Sequence, residues 1–281
     1  MFSYRHGFHA GNHTDVLKHL VQVQLQSHMA AKDKPYQIVD THAGAGAYSL
    51  TSAFAAKRGE YQTGIARLWE RNDLPPAVAD YVAQVKQHNP DGALRYYPGS
   101  PQIALQMMRE DDRLRLFELH STEIGVLQNH FAGAGKRVMV QAMDGFAGLR
   151  SALPPPSRRG LTLIDPSYED KDDYRRVIEA MRDALTRFAT GTYAVWYPQI
   201  QRRDAHELPN KLQRLATGDW LNVTLKVAAP AEDGFGIHGS GVFVFNPPWK
   251  LEASLRSAMP YLVKTLGQDS SASHTLKFRQ T

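Results

Sequence analysis

Apolar positions along the chain follow two spacings in turn. Over 15–29 they recur at helical intervals (Val16, Leu17, Leu20, Val21 and Val23), and Asn12 or Thr14 stands where a capping side chain is wanted. Seven short segments rich in β-branched or aromatic residues then read as strands, at 36–40, 113–119, 137–141, 161–165, 192–197, 221–227 and 241–245. Helical patterns at 101–109, 122–131, 173–188 and 203–215 separate them. Only the Gly-rich loop 230–239 joins the last two strands, which predicts that they pair antiparallel. Strand–helix alternation ending in a hairpin predicts an α/β, doubly wound, Rossmann-like sheet of seven strands whose seventh runs against the others.

One interval breaks the rhythm. More than seventy residues separate the first strand from the second, where a simple crossover needs a dozen or more. Helical patterns at 66–69 and 77–85 within it predict an inserted helical subdomain over 50–96, the rest of the fold being built from 1–49 and 97–281.

Composition narrows the class. The chain has 281 residues and no cysteine, so disulfide frameworks and Cys-ligated zinc or iron–sulfur centres are excluded. No apolar run approaches the ~20 residues of a membrane span. The opening Met1-Phe2-Ser3-Tyr4-Arg5-His6 has a positive charge but no apolar block behind it, so a soluble cytoplasmic protein is expected. The net charge of +5 permits a polyanionic partner without requiring one.

Candidate chemistry sits at strand ends. Residues 40–46, Asp-Thr-His-Ala-Gly-Ala-Gly, follow the first strand directly. Glycines there let the backbone approach a ligand, but Ser49 replaces the third glycine of a dinucleotide fingerprint. What remains, D-x-x-x-G-x-G, is the form seen in methyltransferases that bind S-adenosyl-L-methionine. Glu118 ends the second strand, where an acid can hold ribose hydroxyls, and Asp144-Gly145 follows the third, where an acid can accept from an adenine amino group. A surface carboxylate and a helix cap are the plain alternatives for these two acids.

The fourth strand runs into Asp165-Pro166-Ser167-Tyr168, which resembles the D-P-P-Y signature of amino-methyltransferases acting on adenine N6, with Ser167 in place of the second proline. A purine's exocyclic amine is a poor nucleophile because its lone pair is delocalised into the ring. Two acceptors, the Asp165 carboxylate and the Pro166 carbonyl, can draw the nitrogen toward a tetrahedral geometry and stabilise the developing charge. Tyr168 is expected to offer a face on which a base stacks. Asn246-Pro247-Pro248-Trp249 fits the signature better letter by letter. It follows the reversed strand, however, so it belongs at the opposite edge and is assigned a structural role.

The stretches 3–13, 15–19, 40–46, 96–101, 158–160, 196–198 and 246–250 together resemble the ribosomal RNA large subunit methyltransferase J family, bacterial enzymes that methylate adenine N6 in 23S ribosomal RNA. The likeness covers nearly the whole chain and fades after about Tyr261. It implies a class I S-adenosylmethionine-dependent methyltransferase fold and a substrate of free or partly assembled ribosomal RNA. It implies that Lys18, His19, His42, Ser100, Glu118, Asp144 and Gly145 surround the cofactor. Asp165 is then the catalytic acceptor that also touches the cofactor, with Tyr4 and His6 reaching the target nucleotide. His6, His9 and His13 have a spacing that suits a metal, but no fourth ligand repeats nearby and the reaction needs no Lewis acid, so no metal is expected. Among the basic pairs, Arg175 and Arg202 are better placed for phosphates than Arg158. A monomer is expected. A DNA adenine-N6 methyltransferase and a non-catalytic RNA-binding module on the same fold remain alternatives, with a nicotinamide oxidoreductase the weakest.

Overall fold

The computed structural model describes residues 6–51 and 59–279. After a 3-10 turn at His6–Phe8, helix α1 (His13–Ala30) begins where Asn12 Oδ1 accepts from the backbone N–H of Thr14 and Asp15, so Asn12 is the cap. There follow β1 (Gln37–Asp40), β2 (Ala47–Ser49), a 3-10 turn at Glu60–Thr63, α2 (Ala66–Trp69), α3 (Pro76–Gln87), β3 (Tyr96–Pro98) and α4 (Ser100–Met107). The chain continues through β4 (Arg113–Glu118), α5 (Ser121–Phe131), β5 (Val138–Ala142), α6 (Gly145–Ala152), β6 (Gly160–Ile164) and α7 (Asp172–Arg187). It ends with β7 (Thr192–Gln199), α8 (Arg203–Leu215), β8 (Trp220–Lys226), β9 (Gly239–Phe245), α9 (Leu251–Leu266) and β10 (Ser273–Arg279).

The main sheet has the order β10-β8-β9-β7-β6-β1-β4-β5. Strands β5, β4, β1, β6 and β7 are mutually parallel, whereas β9 runs antiparallel to both β7 and β8. The sheet therefore has eight strands and not the seven expected. The additional strand, β10, pairs antiparallel with β8 at the edge. Its residues Ser-His-Thr-Leu-Lys-Phe-Arg are mostly exposed, because an edge strand solvated on one side needs little apolar content, and that hides it from an apolar-pattern reading.

Helix α1 packs on β6, β7 and β9, α4 on β1 and β4, and α9 on β8 and β10. Val16, Leu17, Leu20, Val21 and Val23 are all buried, the side of α1 that the apolar spacing marked. In the long interval, β2 and β3 pair antiparallel, Ala47 opposite Pro98, so the chain returns to where it left. Between them α3 packs against α1 and α9, with Val78, Tyr81, Val82 and Val85 in the common core. Among the described residues no helix is long and apolar enough to cross a membrane.

This topology brings the carboxyl ends of β1, β4, β5 and β6 to one edge, where open α/β sheets bind ligands. Asn246 follows β9, whose last residue pairs with Tyr193 at the start of β7, and so lies at the other edge. It adopts φ 50°, and its Nδ2 donates to the carbonyls of Ala189 and Gly191, both at 2.7 Å. The side chain stitches two turns together.

Candidate active site

Asp40 ends β1 at 1% exposure and accepts from Ser100 Oγ at 2.6 Å and from the His42 N–H at 3.2 Å. Burial outweighs these bonds and pushes its pKa up to about 6. In the loop that follows, Gly44 takes φ 61°, a conformation that disfavours a side chain, and donates its N–H to Glu118 Oε2 at 2.8 Å. Glu118 Oε1 accepts from the His120 N–H at 2.7 Å. Each carboxylate oxygen retains a second lone pair. Beyond β5, Asp144 caps α6 through the Ala147 N–H at 3.0 Å and pairs with Arg176, whose guanidinium lies 4.5 Å from the Phe146 ring centroid. At Gly145 a Cβ would stand 1.8 Å from the Thr41 carbonyl oxygen, so only glycine lets α6 start this close to the β1 loop. His42 packs edge-on to Phe146 at 5.0 Å, and burial lowers its pKa to about 4.

Asp165, one residue beyond β6, accepts from Lys18 Nζ at 2.5 Å through Oδ2. Lys18 Nζ also lies 3.0 Å from Asp15 Oδ1. Burial opposes the lysine's charge, but the two carboxylates outweigh it and hold its pKa above the ordinary lysine value. Burial likewise opposes the charge of Asp15, and His6 and Lys18 together hold its pKa well below the usual range. His6 Nε2 lies 2.9 Å from Asp15 Oδ2, with its ring 5.1 Å from that of Tyr48. Among the described residues nothing bonds to Asp165 Oδ1, which leaves that oxygen open to accept an N–H from outside.

These groups surround one cavity. Its wall includes His6, Lys18, His19, His42, Ser100, Glu118, Asp144, Gly145, Asp165 and Pro166, all expected from the sequence. Two expected residues are not among them. Tyr4 lies outside the described residues. Tyr168 does not line the cavity, which corrects its expected role as a stacking face: it is 3% exposed, its ring packs on Tyr174 and Trp196, and its hydroxyl donates to the Trp196 carbonyl at 2.7 Å. With φ 54°, Tyr168 turns the chain back into the core, so it shapes the Asp165–Ser167 turn from behind.

Sequence reasoning missed Arg176, Asp173, Tyr48, His120 and Glu123, which also line the wall. Of the adjacent arginines, Arg175 spends its guanidinium on Asp172 and Glu179. Arg176 is the one turned inward, to Asp144 and to Asp173 a helical turn away; Arg175 stands in the same i,i+3 relation to Asp172, so no local signal separates the two. Arg202 donates to the Tyr168 carbonyl at 3.4 Å. His9 Nδ1 lies 2.9 Å from Glu60, His13 is buried, and among the described residues no three potential ligands gather as a metal site.

The parallel core, the glycine loop after β1 and the acids at successive strand ends define the fold of the class I methyltransferases. The profile of the family described as "Ribosomal RNA large subunit methyltransferase D, RlmJ" matches residues 33–279, and the chain belongs to that family. The family pattern thus continues past Tyr261, where the resemblance had been expected to fade. The chain is 47% identical over 262 residues, 93% of either chain, to Ribosomal RNA large subunit methyltransferase J of Escherichia coli (strain K12). It is 44% identical over 279 residues, 99% of either chain, to the protein of the same name from Haemophilus influenzae. A Legionella pneumophila protein of solved structure, 34% identical, superposes with a TM-score of 0.87 over 96% of this chain and 98% of that one.

Proposed function

We propose that this methyltransferase moves the methyl group of S-adenosyl-L-methionine to the exocyclic N6 of an adenine in 23S ribosomal RNA, free or partly assembled. The observation that carries the reading is Asp165 at the cavity wall, with one oxygen fixed by Lys18 and the other open. When bound, S-adenosylmethionine supplies an electrophilic methyl on a sulfonium. The residues present suit it: Glu118 has lone pairs for ribose hydroxyls, Asp144 and Gly145 stand where the adenine end would lie, and His19 keeps a buried Nε2 without a partner among the described residues. Lys18 keeps Asp165 oriented.

Asp165 Oδ1 and the Pro166 carbonyl accept the two N–H groups of the target amine, aiming its lone pair at the methyl carbon in line. Bound S-adenosylmethionine would give up its methyl and leave as the neutral thioether S-adenosylhomocysteine; the positive charge rising on nitrogen would meet the Asp165 carboxylate, which would take the proton the nitrogen sheds and pass it to water. His6, on the wall beside Tyr48, contacts the target nucleotide, which must leave its stack to enter. The insertion expected over 50–96, of which 52–58 lie outside the described residues, belongs to this reading, supported by the chain's return through the β2–β3 ladder.

Methyl transfer from labelled S-adenosylmethionine to protein-free ribosomal RNA, followed by nucleoside digestion, tests the proposal. Label is expected in N6-methyladenosine, and Asp165→Asn should lower the rate by about 100-fold or more while still binding the cofactor. Labelling of duplex DNA alone, or full activity in Asp165→Asn, would refute it.

A further inference from the structure

We propose that the hydroxyls of Tyr81 and Tyr97 form a relay that fixes the tautomer of His19, holding its Nε2–H ready to donate to the carboxylate at the cofactor's amino-acid end. This purpose rests on the reading of the cavity as an S-adenosylmethionine site. Tyr97 Oη lies 2.7 Å from His19 Nδ1 and 2.9 Å from Tyr81 Oη. All three side chains are fully buried. Burial also drives the pKa of His19 well below the usual histidine value, so the ring is neutral, with one N–H and one bare nitrogen.

Only one placement of the hydrogens satisfies every hydroxyl. Tyr81 donates to Tyr97, Tyr97 donates to Nδ1, and the ring proton is left on Nε2. Were Nδ1 the donor, the hydroxyl hydrogen of Tyr81 or of Tyr97 would have no acceptor among the described residues. Nε2 has no partner within the described chain, although His19 lines the cavity beside Lys18. A buried donor kept unpartnered at a cavity wall is explained by a ligand that supplies the acceptor. Tyr81 reaches this relay from α3 in the inserted segment, so the insertion has a part in shaping the cavity as well as in packing.

Long-range proton–nitrogen spectra of the ligand-free full chain labelled at histidine, assigned with His19→Gln, test the relay directly. The expected result is a proton on Nε2 and a hydrogen-bonded, unprotonated Nδ1 whose resonance moves in Tyr97→Phe. A proton on Nδ1 would overturn the proposal. Calorimetry should show S-adenosylmethionine binding weakened about fivefold in Tyr97→Phe, with the larger share of the kinetic loss in KM rather than kcat. Tyr81→Phe leaves the Tyr97 donor in place and should lose less than about twofold. A purely structural role for two equally buried hydroxyls predicts equal losses, and equal losses or none would also overturn the relay. If the wild type shows the expected tautomer yet binds no S-adenosylmethionine, the cofactor reading falls and the hydroxyl relay stands.

Discussion

Lys18, on the cavity wall, lies within hydrogen-bonding distance of two carboxylates, Asp165 beside it on the wall and Asp15 buried behind, and its charge offsets both. His13, one turn away at the start of α1, has no such compensation. It is 7% exposed, its Nδ1 has no partner among the described residues, and burial lowers its pKa to about 4 against the pull of Glu60 and Asp15. For a base with a depressed folded pKa, the contribution to stability is complete above the unfolded value of 6.5 and is lost as pH falls through about 4. The loss should be on the order of 3 kcal/mol. Urea midpoints measured from pH 7 to 4.5 should fall less steeply in His13→Gln than in the wild type, and parallel slopes would remove His13 from the account.

At the scale of elements, direction decides which signature does chemistry. Asp165 and Asn246 each follow a strand, but β6 is parallel to β1 and β9 is not. The Asn246 turn is structural work, with a left-handed backbone and two donated bonds. Asn246→Ala should therefore cost about 2 kcal/mol in urea unfolding and leave S-adenosylmethionine affinity unchanged. A loss of affinity without a loss of stability would put this turn back among the functional candidates. Sequence periodicity placed seven of the main sheet's eight strands within a few residues, and missed β10 and the short β2–β3 pair. It could not show that Tyr168 points into the core, because a positive φ at a tyrosine is imposed by the packing of Tyr174 and Trp196 around it.

Across the whole molecule, the cavity is assembled from parts far apart in the chain: α1, the loop after β1, the start of α4, the ends of β4 and β5, the β6 turn and α7. A ligand that touches all of them should tie the fold together. At about 100 times its dissociation constant, S-adenosylmethionine should add about 2.7 kcal/mol to the unfolding free energy. For a chain of this size that corresponds to a rise of roughly 5 °C in Tm. A thermal scan showing no shift at saturating cofactor would contradict the assignment of the cavity.

The sequence by itself determined the strand–helix alternation, the reversed β9 and the cluster of acids at strand ends, because these follow from local spacing and from the direction in which each strand must run. It also marked Asp165, since the residues on either side of a strand end are fixed by the strand. Only the tertiary structure decided that Lys18, 147 positions away, clamps that carboxylate. The same holds for Arg176 rather than Arg175 facing Asp144, and for the Tyr81–Tyr97 hydroxyls meeting His19. Pairings of this kind depend on which buried charge or hydroxyl finds a partner across the core, and no local pattern encodes that.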